Sequence, residues 1–315
     1  MKLLIKKILG FVFKKYFFLF NRGSSIVFLF HEISDYPSVF QKEKELNIRK
    51  KKFVKIINWI NNNFNIVNPK KLNFRNEFFN ALISFDDGFK ESFKFAIPLM
   101  EKKNIYSLHF LNLKPILNKD PNIAAVLCYL EGNTSVYKKY FLKKKNLKSP
   151  FYLNIDNIKY NKYIKNKIKI NFSKIKKYQG QIVNFYLLKK FNNFKYCYFA
   201  NHFYEHWNTI CCKNKYIIKN YKDNKKFLSK LKNNLDYLAL TNGKINLCYS
   251  QENVNLLLRQ GVKKIFTSNG TINSNKKQNV LDRVSIVERY ADNINLMFFD
   301  ILFNRIKFFF NSRIT

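Results

Sequence analysis

Residues 81–89 read Ala-Leu-Ile-Ser-Phe-Asp-Asp-Gly-Phe, an apolar run that ends in two adjacent carboxylates and a glycine. Apolar residues emptying into a glycine turn describe a buried strand opening into a loop. The same junction recurs at 238–243 (Leu-Ala-Leu-Thr-Asn-Gly) and at 264–270 (Lys-Ile-Phe-Thr-Ser-Asn-Gly). Two like charges at a strand end are costly to hold side by side unless a cation or a shared proton compensates. A metal ion would compensate, and would let the carboxylates differ, one as ligand and one as base. An ordinary acidic turn would have the same spacing, because Asp and Gly are common turn residues.

The flanking segments indicate what kind of sheet this strand joins. Residues 25–31 (Ser-Ile-Val-Phe-Leu-Phe-His) form a short β-like run, and residues 47–60 have helical spacing with Phe53, Ile56, Ile57 and Ile60 on one face. Residues 90–102 read as a helix in which Pro98 predicts a kink or an early end. Residues 107–111 read as a second strand, with His109 inside it as a core histidine. Strand, helix, strand implies βα units and a parallel sheet. Further on, 223–234 reads as a Lys-rich helix, 251–261 as a helix ended by Gly261, and 280–286 as a last strand. Residues 113–194 are rich in Lys, Asn and Tyr, with weak helical periodicity and no catalytic constellation.

Composition removes several classes of protein. Hydrophobic residues at 47% and aromatics at 17% supply a core, which excludes wholesale disorder. The formal charge of +38, from 58 Lys+Arg against 20 Asp+Glu, creates a field that attracts nucleic acid, anionic lipid or acidic polymers. The basic residues are mostly Lys, spread among Asn, Ile, Phe and Tyr, the mixture that an AT-rich coding sequence produces in any protein. No nucleic-acid-binding signature accompanies them, so no specific nucleic-acid partner is expected. The five cysteines (Cys128, Cys197, Cys211, Cys212 and Cys248) are odd in number and contain no CxxC, which fits a reducing compartment.

Lysine pairs at 6–7 and 14–15 interrupt the apolar residues of 1–21, so no run approaches the ~20 residues that cross a bilayer. No signal-peptide pattern is present. Two readings stand side by side: a basic amphipathic helix on an anionic membrane face, or a helix packing its Phe side on the domain. The tail 293–310 is a second amphipathic helix, for which core packing is favoured. The expected organisation is a basic N-terminal segment (1–21), a barrel (22–290) and a C-terminal helix (291–315). The expected place of work is the cytoplasm, at the inner face of the cell membrane.

His202 and His206 are two of only four histidines in the chain and stand four residues apart. On a helical turn, side chains at this spacing share one face, so both imidazoles could reach one metal. Two histidines and a carboxylate leave coordination positions open for water and substrate, the pattern of a catalytic site. His31 ends its strand either near the mouth of such a site or as a capping or loop histidine.

These residues resemble the polysaccharide deacetylase family, the NodB homology domain. Ser84-Phe85-Asp86-Asp87-Gly88 is similar to its T/S-F-D-D-G motif, and 201–206 (Asn-His-Phe-Tyr-Glu-His) to its S/N-H-x-x-x-H motif. Phe28-Leu29-Phe30-His31 resembles the Y-H-R-I opening of many bacterial members, and the tract 261–284 resembles the close of the domain in a surface-glycan branch. The resemblance covers roughly 24–112 and 197–287, leaving 113–196 as an unmatched insertion. It implies an α/β fold, a deformed (β/α) barrel of about seven parallel strands with an inserted helical segment. It also implies a divalent metal, commonly zinc, held by Asp87, His202 and His206, with Asp86 as general base.

The implied reaction is metal-dependent hydrolysis of an N-acetyl or similar acyl amide on a sugar, in a surface polysaccharide or its lipid-linked precursor. Thr241-Asn242-Gly243 stands where the family has its third motif, and the backbone N–H of Asn242 can still serve an oxyanion. The usual late histidine is missing and Arg283 occupies the comparable stretch. Arg283 cannot readily give up a proton but can stabilise charge or orient Asp86, which leaves His31 or a water to protonate the amine. The alternative implied by these departures is a barrel that binds glycan without turnover.

Overall fold

The computed structural model describes residues 2–72, 74–133, 158–274 and 278–311. Its centre is built from parallel strands, the first three fully buried and the rest buried over most of their C-terminal ends: β1 (Ser25–Phe30), β2 (Asn80–Phe85), β3 (Ser107–Leu111), β4 (Cys197–Asn201), β5 (Asn234–Ala239) and β6 (Lys264–Phe266). Two short pieces follow, β7 (Val280–Leu281) and β8 (Arg283–Ser285). The sheet order is β7-β6-β5-β4-β3-β2-β1-β8. Since β7 and β8 are two halves of one segment broken at Asp282, this order closes into a ring.

The register fixes the closure. Leu281 pairs with Phe266 on one side of the break, and Arg283 with Val27 on the other. Asn273 fills the seam: its side chain donates to the Asp282 carbonyl at 2.8 Å and accepts from the Asp282 N–H at 2.7 Å. Its backbone bridges to Ser25. The expected deformed barrel of about seven parallel strands is therefore found, with a side-chain lock where one stave is cut.

Alternation along the strands sorts the core into two layers. Val27, Leu82, Leu108, Phe110, Ala200 and Phe266 fill the barrel interior. Their neighbours Ile26, Phe28, Phe30, Ile83 and Phe85 face outward under the helices. Burying one such aromatic contributes roughly 1.5–3 kcal/mol, so the many phenylalanines carry the fold although lysine dominates its surface.

The outer helices include α1 (Lys2–Phe20), α2 (Lys50–Asn63), α3 (Lys90–Lys102), α4 (Ile123–Asn133), α5 (Ile158–Gln179), α6 (Asn214–Leu228), α7 (Gln251–Arg259) and α8 (Ile294–Asn311). In α2 the expected face of Phe53, Ile56, Ile57 and Ile60 is the buried one. Two expectations need correction. α3 runs through Pro98 to Lys102 with neither a stop nor a break; the carbonyl that Pro98 cannot bond belongs to Lys94, which is exposed and open to water. The Lys-rich helix begins at Asn214 and ends at Leu228, because Asn234 already belongs to β5.

The insertion between β3 and β4 is mostly helical where described, and residues 134–157 lie outside the described residues. It is tied to the barrel mouth: Val183 N–H donates to the Gly88 carbonyl at 2.9 Å, and Ser38 Oγ donates to the Gln179 carbonyl at 2.8 Å. At the opposite end of the chain, α1 and α8 pack on each other and on the Phe-rich layer through Phe13, Phe17 and Phe298. Core packing of the expected C-terminal helix is borne out by burial of Leu296, Met297, Phe298 and Ile301.

Candidate metal centre

The C-terminal ends of the strands deliver the polar residues. Immediately after β2 the backbone enters the left-handed region twice, at Asp87 (φ 69°) and Gly88 (φ 75°). Asp tolerates this conformation better than most residues with a Cβ. The turn points the two carboxylates differently: Asp86 pairs with Arg283 and lies 3.6 Å from His202 Nε2, and Asp87 faces both histidines. A Cβ at Gly88 would meet Ile116 and Leu111 at 3.3 Å, so the turn is also packed tightly under the insertion.

His202 follows β4, but residues 202–208 are not helical. This corrects the expected helical turn. Phe203 adopts φ 61°, held by its N–H bond to Asn201 Oδ1 at 2.7 Å. Loop geometry, not the i, i+4 face of a helix, brings the two imidazoles together, with ring centroids 4.9 Å apart.

Asp87, His202 and His206 converge, with one ligand atom from each within 4.8 Å of the others. His206 Nε2 lies 3.5 Å and His202 Nε2 3.8 Å from Asp87 Oδ1. These distances exceed a hydrogen bond and approach the roughly 3.3 Å between neighbouring ligands of a tetrahedral ion with bonds near 2 Å. His202 Nδ1 lies 2.9 Å from the Ala239 carbonyl. A carbonyl can only accept, so Nδ1 carries the proton and Nε2 keeps its lone pair for the centre. The donor set therefore fits a divalent cation.

The electrostatics follow from burial. Burial raises the pKa of Asp87 and outweighs the opposing histidines, while the Asn122 amide at 3.3 Å favours its ionised form. Burial lowers His206 to about 4 and depresses His202 as well, leaving both imidazoles neutral as ligands require. Burial alone would raise Asp86, but the Arg283 guanidinium and neighbouring histidines prevail and hold it at about 2. Arg283 Nη1 sits 2.6 Å from Asp86 Oδ1, and its Nε donates to the Thr267 carbonyl at 3.0 Å. Arg283 and Asp86 thus form a buried pair beside the cluster of Asp87, His202 and His206.

His31 feels Asp86, Asp87, Arg283 and His202, and burial depresses its pKa below the ordinary value. Asn242 lies in the left-handed region (φ 57°), and its side chain donates to Asn208 Oδ1 at 2.6 Å, two residues beyond His206. His109 is a core histidine as expected: it stacks on Phe85 at 4.8 Å, and burial lowers it to about 3.

Several supporting residues escaped the sequence reading. Asn122 comes from the insertion that matched no motif. Glu205, between the two histidines, accepts from Lys114, from Tyr216 and, at 3.2 Å, from Trp207 Nε1, which pins the loop. Asp282 accepts from Thr267 Oγ1, Asn269 N–H and Thr271, which fixes the backbone that presents Arg283. The one available signal was position: Glu205 and Asp282 each stand beside a residue already singled out.

No family model matches the chain, and no curated protein matches it in sequence. Solved structures do match. The Streptococcus pyogenes deacetylase PplD in complex with acetate superposes with a TM-score of 0.56 at 12% identity, over 86% of this chain and 96% of its own. IcaB from Ammonifex degensii gives 0.57 at 12% identity, over 88% and 98%. This is the polysaccharide deacetylase fold. A polysaccharide deacetylase from Bacillus cereus adds a third match, with a TM-score of 0.56, 12% identity, and coverage of 87% of this chain and 69% of its own. The shared fold is the closed ring of parallel strands described above.

Proposed function

We propose that this chain is a metal-dependent hydrolase that removes an N-acetyl or similar acyl group from a sugar of a polysaccharide or its lipid-linked precursor. The observation that carries this reading is the convergence of Asp87, His202 and His206 beside a separately held carboxylate, Asp86. Fold similarity to deacetylases supports the substrate class.

Asp87, His202 and His206 would hold the divalent ion, with zinc the commonest choice for such a donor set. When bound, the ion supplies Lewis acidity toward an amide carbonyl and lowers the pKa of water. Asp86 accepts the proton of the attacking water; with a pKa of about 2 it is ionised throughout the neutral range. Arg283 keeps Asp86 charged and oriented and, with its own proton effectively fixed, cannot act as the acid. The Asn242 backbone N–H serves as donor to the oxyanion. His31, neutral at rest because burial depresses its pKa, or a water would relay to the leaving amine the proton that Asp86 has taken up.

The test is acetate release from N-acetylated oligosaccharides by the metal-loaded protein. Asp86→Asn and His202→Ala should each lower the rate by at least about a hundredfold. Unchanged release in both variants would sink the proposal. Metal binding with no release across a broad panel of acylated sugars would leave a glycan-binding barrel instead.

A further inference from the structure

The outward face of α1 is built the wrong way round for water. Gly10, Phe13 and Phe17 are its buried residues. At about 100° per residue, Leu4, Ile5, Ile8, Val12, Tyr16 and Leu19 fall on the opposite side of the helix. That side is open: Leu4 is 61%, Val12 57% and Leu19 68% exposed. A surface helix of a globular protein ordinarily turns polar residues outward, and a contiguous apolar surface of this kind marks an interaction site.

The lysines sit where an interface would place them. Lys2 falls at one border between the buried seam and the outward arc, and Lys7 and Lys14 at the other, while Lys6 lies on the seam side with its ammonium 5.5 Å from the Phe299 ring of α8. Only Lys15 lies within the arc, and its ammonium rests 4.7 Å from the Phe11 ring. Such side chains run their stems along apolar surface and carry the charge to its edge. α1 contains no acidic residue at all. In α8, which packs against α1, exposed Phe303 and Ile306 continue the apolar surface next to Arg305 and Lys307.

We propose that this face seats on the surface of an anionic lipid bilayer, with α1 lying in the membrane plane. An apolar arc edged by cations complements acyl chains below and negative headgroups at the same depth. A second copy of the chain fits less well, because it would bring the same lysine borders together with no acidic residue of α1 to offset them. The helix lies on the bilayer and does not span it: among the described residues, no helix is long and apolar enough to cross a membrane. The proposal stands independently of the reaction.

The test uses the full chain with vesicles of phosphatidylcholine alone or mixed with phosphatidylglycerol, read by co-sedimentation. Binding should be at least about tenfold tighter to the anionic vesicles and should weaken as salt is added. Ile8→Ser with Val12→Ser should cut binding by at least about tenfold without changing the melting curve, since neither residue is buried. Lys7→Glu with Lys14→Glu should remove the preference for anionic vesicles. A Val12→Trp reporter should shift to the blue and be quenched by brominated lipid. The proposal is overturned by wild-type protein that ignores both vesicles, or by equal binding of the Ile8→Ser/Val12→Ser variant. A stable dimer that dissociates in that variant also overturns it, and would assign the face to a second copy.

Discussion

Arg283 Nη1 lies 2.6 Å from Asp86 Oδ1, and both side chains are almost wholly buried, joining the broken stave of the barrel to the turn after β2. Two buried charges are tolerable here because they pair directly and Arg283 is bonded further through Nε to the Thr267 carbonyl, while Asp86 Oδ2 lies 3.6 Å from His202 Nε2. Removing one partner strands the other, which is far costlier than the net worth of the pair.

Arg283→Met should therefore destabilise the fold by about 3–5 kcal/mol, measured by denaturant unfolding. It should also move the acid limb of any hydrolytic activity upward. Burial already pushes Asp86 toward protonation, and Arg283 is the principal charge opposing it. In the wild type, an Asp86 pKa depressed to about 2 from 3.8 adds stability that is present above about 4 and lost as pH falls toward 2. Arg283→Lys should recover part of both effects, since it restores the charge but not the second bond to Thr267. An unmoved pH profile in Arg283→Met would detach Asp86 from this pairing.

Metal loading should be visible without any assay of activity. At a free concentration of a hundred times its Kd, a cation that binds only the folded chain adds about 2.7 kcal/mol of stability. Zinc or cobalt should therefore raise the melting temperature of the wild type, and a chelator should reverse the rise. In His206→Ala and Asp87→Asn the rise should be absent or much reduced. Cobalt binding should in addition give a visible ligand-field spectrum that His202→Ala abolishes. An equal rise in all variants would place the ion elsewhere.

The barrel was legible because its staves are buried on both faces and so read as continuous apolar runs ending in glycine turns. The metal ligands were legible because histidine is scarce and Asp86-Asp87 stands at a strand end. The local structure around His202 was not, since HxxxH spacing is compatible with a helix and only the bonds of Asn201 and Glu205 decide for a loop. Asn122 was illegible for another reason: it reaches Asp87 from 35 residues away, within a segment whose helical periodicity is weak. The split at Asp282 depends on Asn273 filling the seam, a side-chain event that strand patterning does not encode.

Glu32 supplies a pH-dependent prediction outside the centre. Burial, reinforced by the nearby Glu91 charge, raises its pKa from 4.5 to about 8, with Ser92 Oγ at 3.4 Å as a weak partner. A carboxyl whose folded pKa is raised favours the fold fully below the unfolded value and loses that contribution as pH climbs toward the folded value. Stability should therefore fall between about pH 4.5 and pH 8 by an amount on the order of 3–5 kcal/mol from this group alone. Glu32→Gln should flatten that part of the melting-temperature profile and be the more stable protein above pH 8. Parallel profiles for the two proteins would show that Glu32 is not buried as described.

Gly10 tests the packing of α1 by the sign of a single substitution. Within an isolated helix, Gly→Ala stabilises by roughly 0.8–1 kcal/mol, because alanine loses less backbone entropy. Here a Cβ on Gly10 would stand 1.8 Å from the Asn295 carbonyl oxygen and 3.1 Å from Phe299 Cβ. The obstruction is backbone and cannot rotate aside, so α1 and α8 must separate and loosen Phe13 and Phe17 against Phe298. Overpacking of this kind costs about 1–3 kcal/mol, which exceeds the propensity gain over most of its range. Gly10→Ala should therefore lower the unfolding free energy, and Gly10→Val should lower it further. A stabilised Gly10→Ala protein would mean that α1 does not rest on α8 in solution.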